Sequence, residues 1–250
     1  MNYQIPTSMI ELPSKGLLYN KDSVLSQGKV EFRFMTAKEE DILASKTLLR
    51  KGTVLNELLK SCITTPGVDI DEILTCDRNA IYLAIRISGL GAEYSVQNMQ
   101  CPVCGKSITA NFDLSKLNVK NMDSEFIQYP NENKFTVRLP TINEEIDFRL
   151  LIGKDEVVSS SDNNTLAPNE QEVTSMLKSM ITRIGDQKDI NVMADIINYL
   201  PSADVRFFKK YVDAIQPGVE MKQKIKCPML NCKSEIELDI PILMSFFWPE

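Results

Sequence analysis

Two short cysteine pairs stand far apart in the chain and resemble each other. Cys101 and Cys104 belong to Cys-Pro-Val-Cys-Gly-Lys, and Cys227 and Cys232 belong to Cys-Pro-Met-Leu-Asn-Cys-Lys. The chain contains no histidine. A tetrahedral metal site would therefore be built most simply from these four thiolates, and a closed set of four thiolates is typical of structural rather than catalytic zinc. The four cysteines thus predict one structural Zn²⁺.

The two pairs follow the pattern of a metal-binding knuckle to different degrees. The turn after the first cysteine directs backbone amides toward sulphur, and a following glycine tolerates the required backbone angles. Gly105 fits this pattern, whereas the second pair has two extra residues and Lys233 in place of the glycine. A duplicated chain would separate the pairs in this way if its two hairpins met at a pseudo-twofold axis, within one chain or between chains.

Other interpretations of the cysteines remain open. A disulfide within each hairpin is the main rival, although a chain that is not exported keeps its thiols reduced. A thioredoxin-like redox role for Cys101 and Cys104 is less well supported, because the motif lies between strands instead of opening a helix. Four unlinked thiols would not explain the matching prolines. Cys62 and Cys76 lie among apolar residues of predicted helices and are expected in the core.

The composition excludes several classes of protein. Without histidine, the chain has neither a Ser-His-Asp triad nor a histidine-ligated catalytic metal, and it has no P-loop motif. Acidic clusters such as Glu39-Glu40-Asp41 could form a carboxylate pair, but acids that complement a helix dipole explain them better. We therefore expect no enzymatic activity. The net charge of −6 argues against nucleic acid as the main ligand, because such binding needs clustered lysines and arginines.

The remaining composition is that of an ordinary globular protein. Of the 250 residues, 43% are hydrophobic and 25% are charged. No run of about 18 apolar residues occurs, so no membrane span is expected. The first residues lack the basic and apolar regions of a signal peptide, which favours a location in the cytoplasm.

Hydrophobic periodicity predicts an α+β fold. Strand-like alternation at residues 30–35 is followed by a capping-box-like helix start at Thr36, and further helices are predicted over 54–63 and 78–87, the latter with Asp77 as its N-cap. Each cysteine pair lies at the tip of a predicted β-hairpin, formed by residues 94–99 with 108–114 and by residues 221–225 with 235–240. Residues 159–170 are predicted to form a loop.

The two halves of the chain contain similar predicted elements in the same order. Residues 58–64 resemble 176–182, residues 33–36 resemble 138–141, and the helix after Asp77 corresponds to the helix after Asp204. We therefore predict a pseudo-duplicated helical body whose two cysteine-knuckle hairpins form a split zinc ribbon. The predicted divisions are an extended N-terminal arm (1–30), a first helical and zinc-hairpin half (31–120) and a second such half (121–250).

The C-terminus carries the only tryptophan, Trp248, after Phe246 and Phe247. An aromatic tail of this kind either packs onto the core of its own chain or anchors a partner. The sequence leaves both alternatives open.

Two segments resemble a known protein family. Residues 11–19, Glu-Leu-Pro-Ser-Lys-Gly through Tyr19, and residues 34–43, Phe-Met-Thr-Ala-Lys-Glu-Glu-Asp-Ile-Leu, resemble the baseplate proteins of T-even-type contractile-tailed bacteriophages. The resemblance extends to the helix that ends Ala84-Ile85-Arg86 and to the first cysteine hairpin. The second half matches more through its order of elements than through motifs.

The resemblance implies a structural or assembly role in the central hub of a phage baseplate. It implies binding to other tail and hub proteins, assembly in the host cytoplasm, and either a permanent place in the virion or a transient one. The runner-up is a cytoplasmic zinc-ribbon protein that binds nucleic acid. Lys106, Lys222, Lys224, Lys226 and Lys233 give the knuckles a basic character, but no aromatic residues alternate with them as on a stacking surface.

Overall fold

Helices and small antiparallel sheets make up the fold, in agreement with the predicted α+β class. A computed structural model describes residues 5–155, 172–242 and 244–247. The predicted loop at 159–170 lies outside the described residues.

The first half of the chain begins with a two-stranded sheet and ends with a long hairpin. Its elements are β1 (Thr7–Glu11), β2 (Lys29–Arg33), α1 (Ala37–Ala44), α2 (Lys46–Lys51), α3 (Val54–Cys62), α4 (Thr75–Leu90), β3 (Glu93–Gln100), β4 (Ser107–Asp113) and β5 (Val119–Lys120). β1 pairs with β2, and β3 pairs with β4.

The second half presents a comparable order of elements. They are β6 (Phe135–Arg138), β7 (Glu145–Phe148), α5 (Glu172–Met180), β8 (Ile181–Ile184), α6 (Ile190–Asn198), α7 (Ser202–Ile215), β9 (Gly218–Val219), β10 (Lys222–Lys226) and β11 (Glu235–Asp239). β6, β7 and β8 form one sheet in that order, β10 pairs with β11, and β5 pairs with β9 across the two halves.

The local signals for helix starts were partly correct. Thr36 and Glu39 form the predicted capping box of α1. The helix breaks at Ser45, whose hydroxyl accepts a bond from the Leu48 amide and starts α2. Asp77 is not the N-cap of α4, because that helix already begins at Thr75 after Leu74.

The N-terminal segment belongs to the folded body and is not a projecting arm. Thr7–Glu11 pair with β2 along their whole length. The following loop buries Leu12, Leu18 and Tyr19 in the main core, where each is at most 7% exposed. The described part of this segment therefore packs against the body, and the predicted divisions at 1–30, 31–120 and 121–250 stay predictions.

Two buried aspartates make the same contact in the two halves. Asp77 Oδ1 accepts the backbone N–H of Ser14 at 2.9 Å, across 63 residues. Asp204 Oδ1 accepts the N–H of Thr141 at 2.7 Å, also across 63 residues. Each aspartate lies in the first turn of a helix and holds the loop that follows a strand, β1 in one half and β6 in the other.

Two ion pairs also recur. The guanidinium of Arg33 donates to both carboxylate oxygens of Glu39, at 3.0 and 2.6 Å, and Arg149 does the same to Asp155, at 2.7 and 2.8 Å. In each case the acid also accepts a backbone N–H three residues before it. These contacts align Arg33 with Arg149, so the sequence comparison of residues 33–36 with 138–141 was wrong in register.

The similarity of residues 58–64 to 176–182 agrees with the structure. Ile63 forms an antiparallel bridge with Phe32, and Ile181 pairs with Phe148 in the same sense. Thus the ends of α3 and α5 return the chain to β2 and β7, and a paired arginine lies at the end of each of these strands.

The main core draws on both halves of the chain and includes the C-terminal aromatic residues. Phe246 and Phe247 are 0% and 2% exposed. The ring of Phe246 lies 5.3 Å from that of Tyr94, and Arg86 Nε donates to the Phe246 carbonyl at 2.7 Å. Of the two alternatives for the tail, packing onto the chain's own core therefore holds for Phe246 and Phe247, while Trp248 lies outside the described residues.

We expect Phe246→Ala to lower the free energy of unfolding by about 3–5 kcal/mol, since it removes a fully buried aromatic ring. Phe207→Ala is the matched control, because Phe207 is 37% exposed and should cost much less. Urea denaturation at fixed zinc concentration measures both. Equal losses in the two variants would show that Phe246 does not act as a core residue.

Candidate metal centre

Each cysteine pair lies in the turn of a regular hairpin. β3 and β4 end their pairing at Gln100 and Ser107, directly before and after the turn that holds Cys101 and Cys104. The pairing of β10 with β11 ends at Lys226 and Glu235, which flank the turn that holds Cys227 and Cys232. Both predicted hairpins are therefore present, and their alternating strands carry the cysteines to their tips.

The two turns have equivalent backbones despite their different lengths. The Cys101 N–H donates to the carbonyl of Lys106 at 3.0 Å, and the Cys227 N–H donates to that of Ser234 at 2.9 Å. Gly105 has a φ of 67° and Lys233 a φ of 50°. Lys233 thus adopts the left-handed conformation for which a glycine was expected, and the second knuckle closes without glycine at some conformational cost.

The structure brings all four predicted cysteines together. Their sulphur atoms all lie within 4.8 Å of one another. Two contacts are shorter, with Cys101 Sγ 3.8 Å from Cys232 Sγ and Cys104 Sγ 3.9 Å from Cys227 Sγ. A tetrahedron with metal–sulphur distances of about 2.3 Å has edges of about 3.8 Å. The four cysteines could therefore bind a metal ion with little movement.

The short contacts join the first cysteine of each pair to the second cysteine of the other. A local twofold axis that exchanged the hairpins would convert one contact into the other. All six cysteines are free, so neither of the disulfides considered above is present within a hairpin. Cys62 and Cys76 are buried in the main core, as expected, and belong to no metal cluster found among the described residues.

One serine contacts two of the four sulphurs. Ser234 Oγ lies 3.1 Å from Cys232 Sγ and 3.6 Å from Cys101 Sγ. The equivalent position in the first knuckle is Lys106, so the site is asymmetric in this respect. Sequence reasoning missed Ser234, because a serine two residues after a cysteine carries no signal until the second hairpin is in place.

The surroundings shift the acidity of the thiols in opposite directions. The backbone amide of Cys104 and the Ser234 hydroxyl lower the pKa of Cys101 to about 6. The Ser234 hydroxyl also lowers the pKa of Cys232. The amide of Met229 favours the Cys227 thiolate, but burial and the neighbouring sulphurs outweigh it and raise the pKa of Cys227 to about 12. Without a cation, adjacent thiolates repel, so a metal would displace protons as it binds.

Little else holds the two tips together. The two hairpins form separate two-stranded sheets, so no ladder of backbone hydrogen bonds joins them in the described chain. The buried residues around the cysteines form a small cluster of their own, apart from the main core: Cys101, Ile108, Cys227 and Ile236. A two-stranded hairpin with so small a core is marginally stable by itself.

The acidic cluster at Glu39 is explained by the fold. Burial would raise the pKa of Glu39, but hydrogen bonds from Arg33, Ser61 and Thr36 outweigh it and lower the pKa to about 2. The Glu39 carboxylate caps the N-terminus of α1 and joins that helix to Arg33 at the end of β2. It does not form the carboxylate pair that the sequence allowed.

The comparison with known families now identifies the family of the chain. A family model described as T4 bacteriophage base plate protein matches residues 8–248. The chain belongs to this baseplate family. The match covers nearly the whole chain and confirms the resemblance noted in the first half. Neither a comparison with curated proteins nor one with solved structures gave a match.

Membership of this family makes the chain a structural component of a phage baseplate. A baseplate protein is a structural part of a phage tail and assembles with other tail proteins. Across the part of the chain that the structure describes, no helix combines the length and apolar character needed to cross a membrane.

We expect Cys101→Ser and Cys227→Ser each to lose bound zinc and to lower the melting temperature, since each opens the same site. The wild-type chain should carry about one zinc per molecule. Metal analysis of the folded fraction measures this, with Cys62→Ala as the control that keeps its zinc. If only one of the two serine variants lost zinc, the shared site would be wrong.

Ser234→Ala should weaken zinc binding by about tenfold, because hydrogen bonds to metal ligands orient them and tune their charge. Competition with a chromophoric chelator measures the affinity. Lys106→Ala is the matched control, as it changes the equivalent position of the other knuckle, where only the backbone carbonyl is used. An identical affinity for the two variants would contradict a role for the serine hydroxyl.

Proposed function

We propose that this baseplate protein acts in the central hub of the tail, as a structural or assembly component that binds other tail proteins. One Zn²⁺, held by Cys101, Cys104, Cys227 and Cys232, would join the two halves of the chain. The observation that carries the proposal is the cluster of four sulphurs from two distant hairpins, within a chain of the baseplate family.

The need for stabilisation supports a structural metal. The two hairpins share no backbone ladder and only a small buried cluster. A structural zinc in small metal-binding peptides contributes about 10–16 kcal/mol of apparent binding free energy, which becomes folding free energy where no site exists in the unfolded chain. A single ion could therefore fix the relative position of two tips that are otherwise weakly connected.

A split zinc ribbon within a duplicated chain is the fold we propose. The recurring contacts of Asp77 and Asp204, and of Arg33 and Arg149, support an ancient duplication. The crossed sulphur contacts support a pseudo-twofold relation of the hairpins. In this arrangement each half supplies one knuckle and neither half has a complete site.

We further propose that the protein has no catalytic role. Four thiolates fill a tetrahedral zinc and leave no position for a substrate. The family match favours a baseplate component and does not favour the nucleic-acid-binding alternative. Assembly would take place in the host cytoplasm, and the virion tail is where a permanent component would remain.

Complementation of a phage that lacks this gene tests the proposed function. We expect the wild-type chain and Cys62→Ala to restore complete baseplates, and the double variant Cys101→Ser/Cys104→Ser to restore few or none. Electron microscopy counts the baseplates, and mass spectrometry of purified tails shows whether the chain stays in the virion. Normal baseplates in the absence of the chain would overturn the proposal.

A further inference from the structure

Helix α6 belongs only to the second half of the chain. The repeated contacts align Ile63 with Ile181 and Asp77 with Asp204. The interval from Ile181 to Asp204 is longer than the interval from Ile63 to Asp77 by nine residues, and α6 itself has nine residues. The first half has only a short 3-10 helix (Ile70–Glu72) in this interval. None of the recurring contacts involves α6, so the duplicated framework does not depend on it.

One face of α6 packs onto the body of the protein. Met193 and Ile197 are 6% and 3% exposed, and the helix lies against α5 and β8. Asp189 caps the N-terminus of the helix by accepting the backbone N–H groups of Asn191 and Val192. A surface helix held in this way normally turns a polar face toward solvent.

The outward face of α6 is instead apolar. Tyr199 is 86% exposed, Val192 is 42% exposed and Ile196 is half-buried. Residues spaced by three, four and seven positions lie on one side of an α-helix, so these three side chains form a single row about 10 Å long. The helical path continues to Tyr199, whose N–H donates to the Ile196 carbonyl at 3.0 Å. An exposed apolar row on a helix that folds through its other face indicates contact with another molecule.

One charged residue shares the outward face. Asp195 is exposed and lies three residues after Val192 and four before Tyr199. It is the only charged residue of α6. Lys188, the nearest cation along the chain, precedes the N-cap, and Asp195 forms no ion pair or hydrogen bond with any residue that the structure describes. The apolar row therefore carries one negative charge that the described chain does not neutralise.

We propose that the outward face of α6, defined as Val192, Asp195, Ile196 and Tyr199, is a docking surface for another baseplate protein. The occupant is an apolar helical surface that carries a lysine or arginine opposite Asp195. Helices pack by placing rows of side chains spaced by four residues into the grooves of a facing helix, and Val192 and Ile196 form such a row. This inference rests on the proposed function, because the partner belongs to the same assembly.

Asp195 selects a different protein over a second copy of this chain. A twofold contact centred on the row would place the Asp195 carboxylates of two copies beside each other, whether the helices ran parallel or antiparallel. Like charges brought together at an interface are unfavourable. The same carboxylate opposes phosphate groups of lipid or nucleic acid, as does the net charge of −6. A cation on a different protein, in contrast, complements Asp195, and Tyr199 supplies the kind of aromatic anchor that protein interfaces favour.

Photocrosslinking in phage-infected cells tests the inference. Benzoylphenylalanine would replace Tyr199 in the full chain, and Phe207, an aromatic residue of α7 that is 37% exposed, is the control position. We expect position 199 to crosslink to a segment of another tail protein that contains lysine or arginine, identified by mass spectrometry, and position 207 not to do so. Crosslinks only to lipid, to nucleic acid or to a second copy of this chain would overturn the proposal, as would a yield no higher than that of the control.

Substitutions then test the apolar and the charged part of the surface separately. Tyr199→Ser and Asp195→Lys should each weaken binding to the purified crosslinked protein by at least about tenfold, because the first removes the aromatic anchor and the second opposes the partner's cation. Asp213→Lys, which reverses an exposed charge on α7, is the charge-matched control and should bind as the wild type does. Unchanged binding in either α6 variant would contradict the proposal, since the anchor and the cation are both part of it.

Zinc content, melting temperature and complementation separate this inference from the proposed function. No residue of α6 belongs to the small buried cluster around the cysteines, so both α6 variants should keep their zinc and their melting temperature. A loss of either would show that the outward face serves the fold, and so refute the docking role. If the cysteine variants fail in complementation while the α6 variants assemble normally, only the docking inference is wrong. If baseplates form normally without the chain, the proposed function is wrong whatever α6 binds.

Discussion

The approach of four sulphurs from two distant hairpins is the constraint on which the arrangement of the two hairpin tips depends. The helical body has a continuous core, but the hairpins leave it as separate two-stranded sheets. Close thiolates repel, and hydrophobic burial at the tips is too limited to offset that repulsion by itself. A divalent cation bound there would convert the same four groups from a source of repulsion into a contact that joins the hairpins.

The helical body is held by two kinds of polar contact, and each kind occurs in both halves. In each half a buried aspartate in the first turn of a helix accepts amide protons from a loop 63 residues earlier. In each half an arginine at the end of a strand makes a bidentate contact with the acid six residues later. Asp77, Asp204 and Glu39 are buried and the paired arginines are partly buried, so the loss of a partner would leave a carboxylate without its hydrogen bonds in a poorly solvated place.

The sequence predicted the features whose physical cause is local. The capping box at Thr36 and the two hairpins follow from residue type and period, and the cysteines follow from ligand chemistry in a chain without histidine. Contacts across long separations escaped prediction. Asp77 carried the signature of an N-cap, whereas its partner lies in the loop after β1. The repeat was read in the wrong register because the second half replaces Glu39 by Asp155 and has a shorter connection between its first two strands.

The two knuckles differ at the two positions that follow their second cysteines. Ser234 contacts the sulphurs of Cys232 and Cys101, whereas its counterpart Lys106 is exposed. Lys233 occupies a left-handed position that glycine would fill without strain, and there it adds a positive charge beside the tip. The second knuckle therefore places a hydroxyl beside the thiolates and an exposed lysine in a left-handed position, whereas the first has a glycine at that position and a lysine in place of the serine.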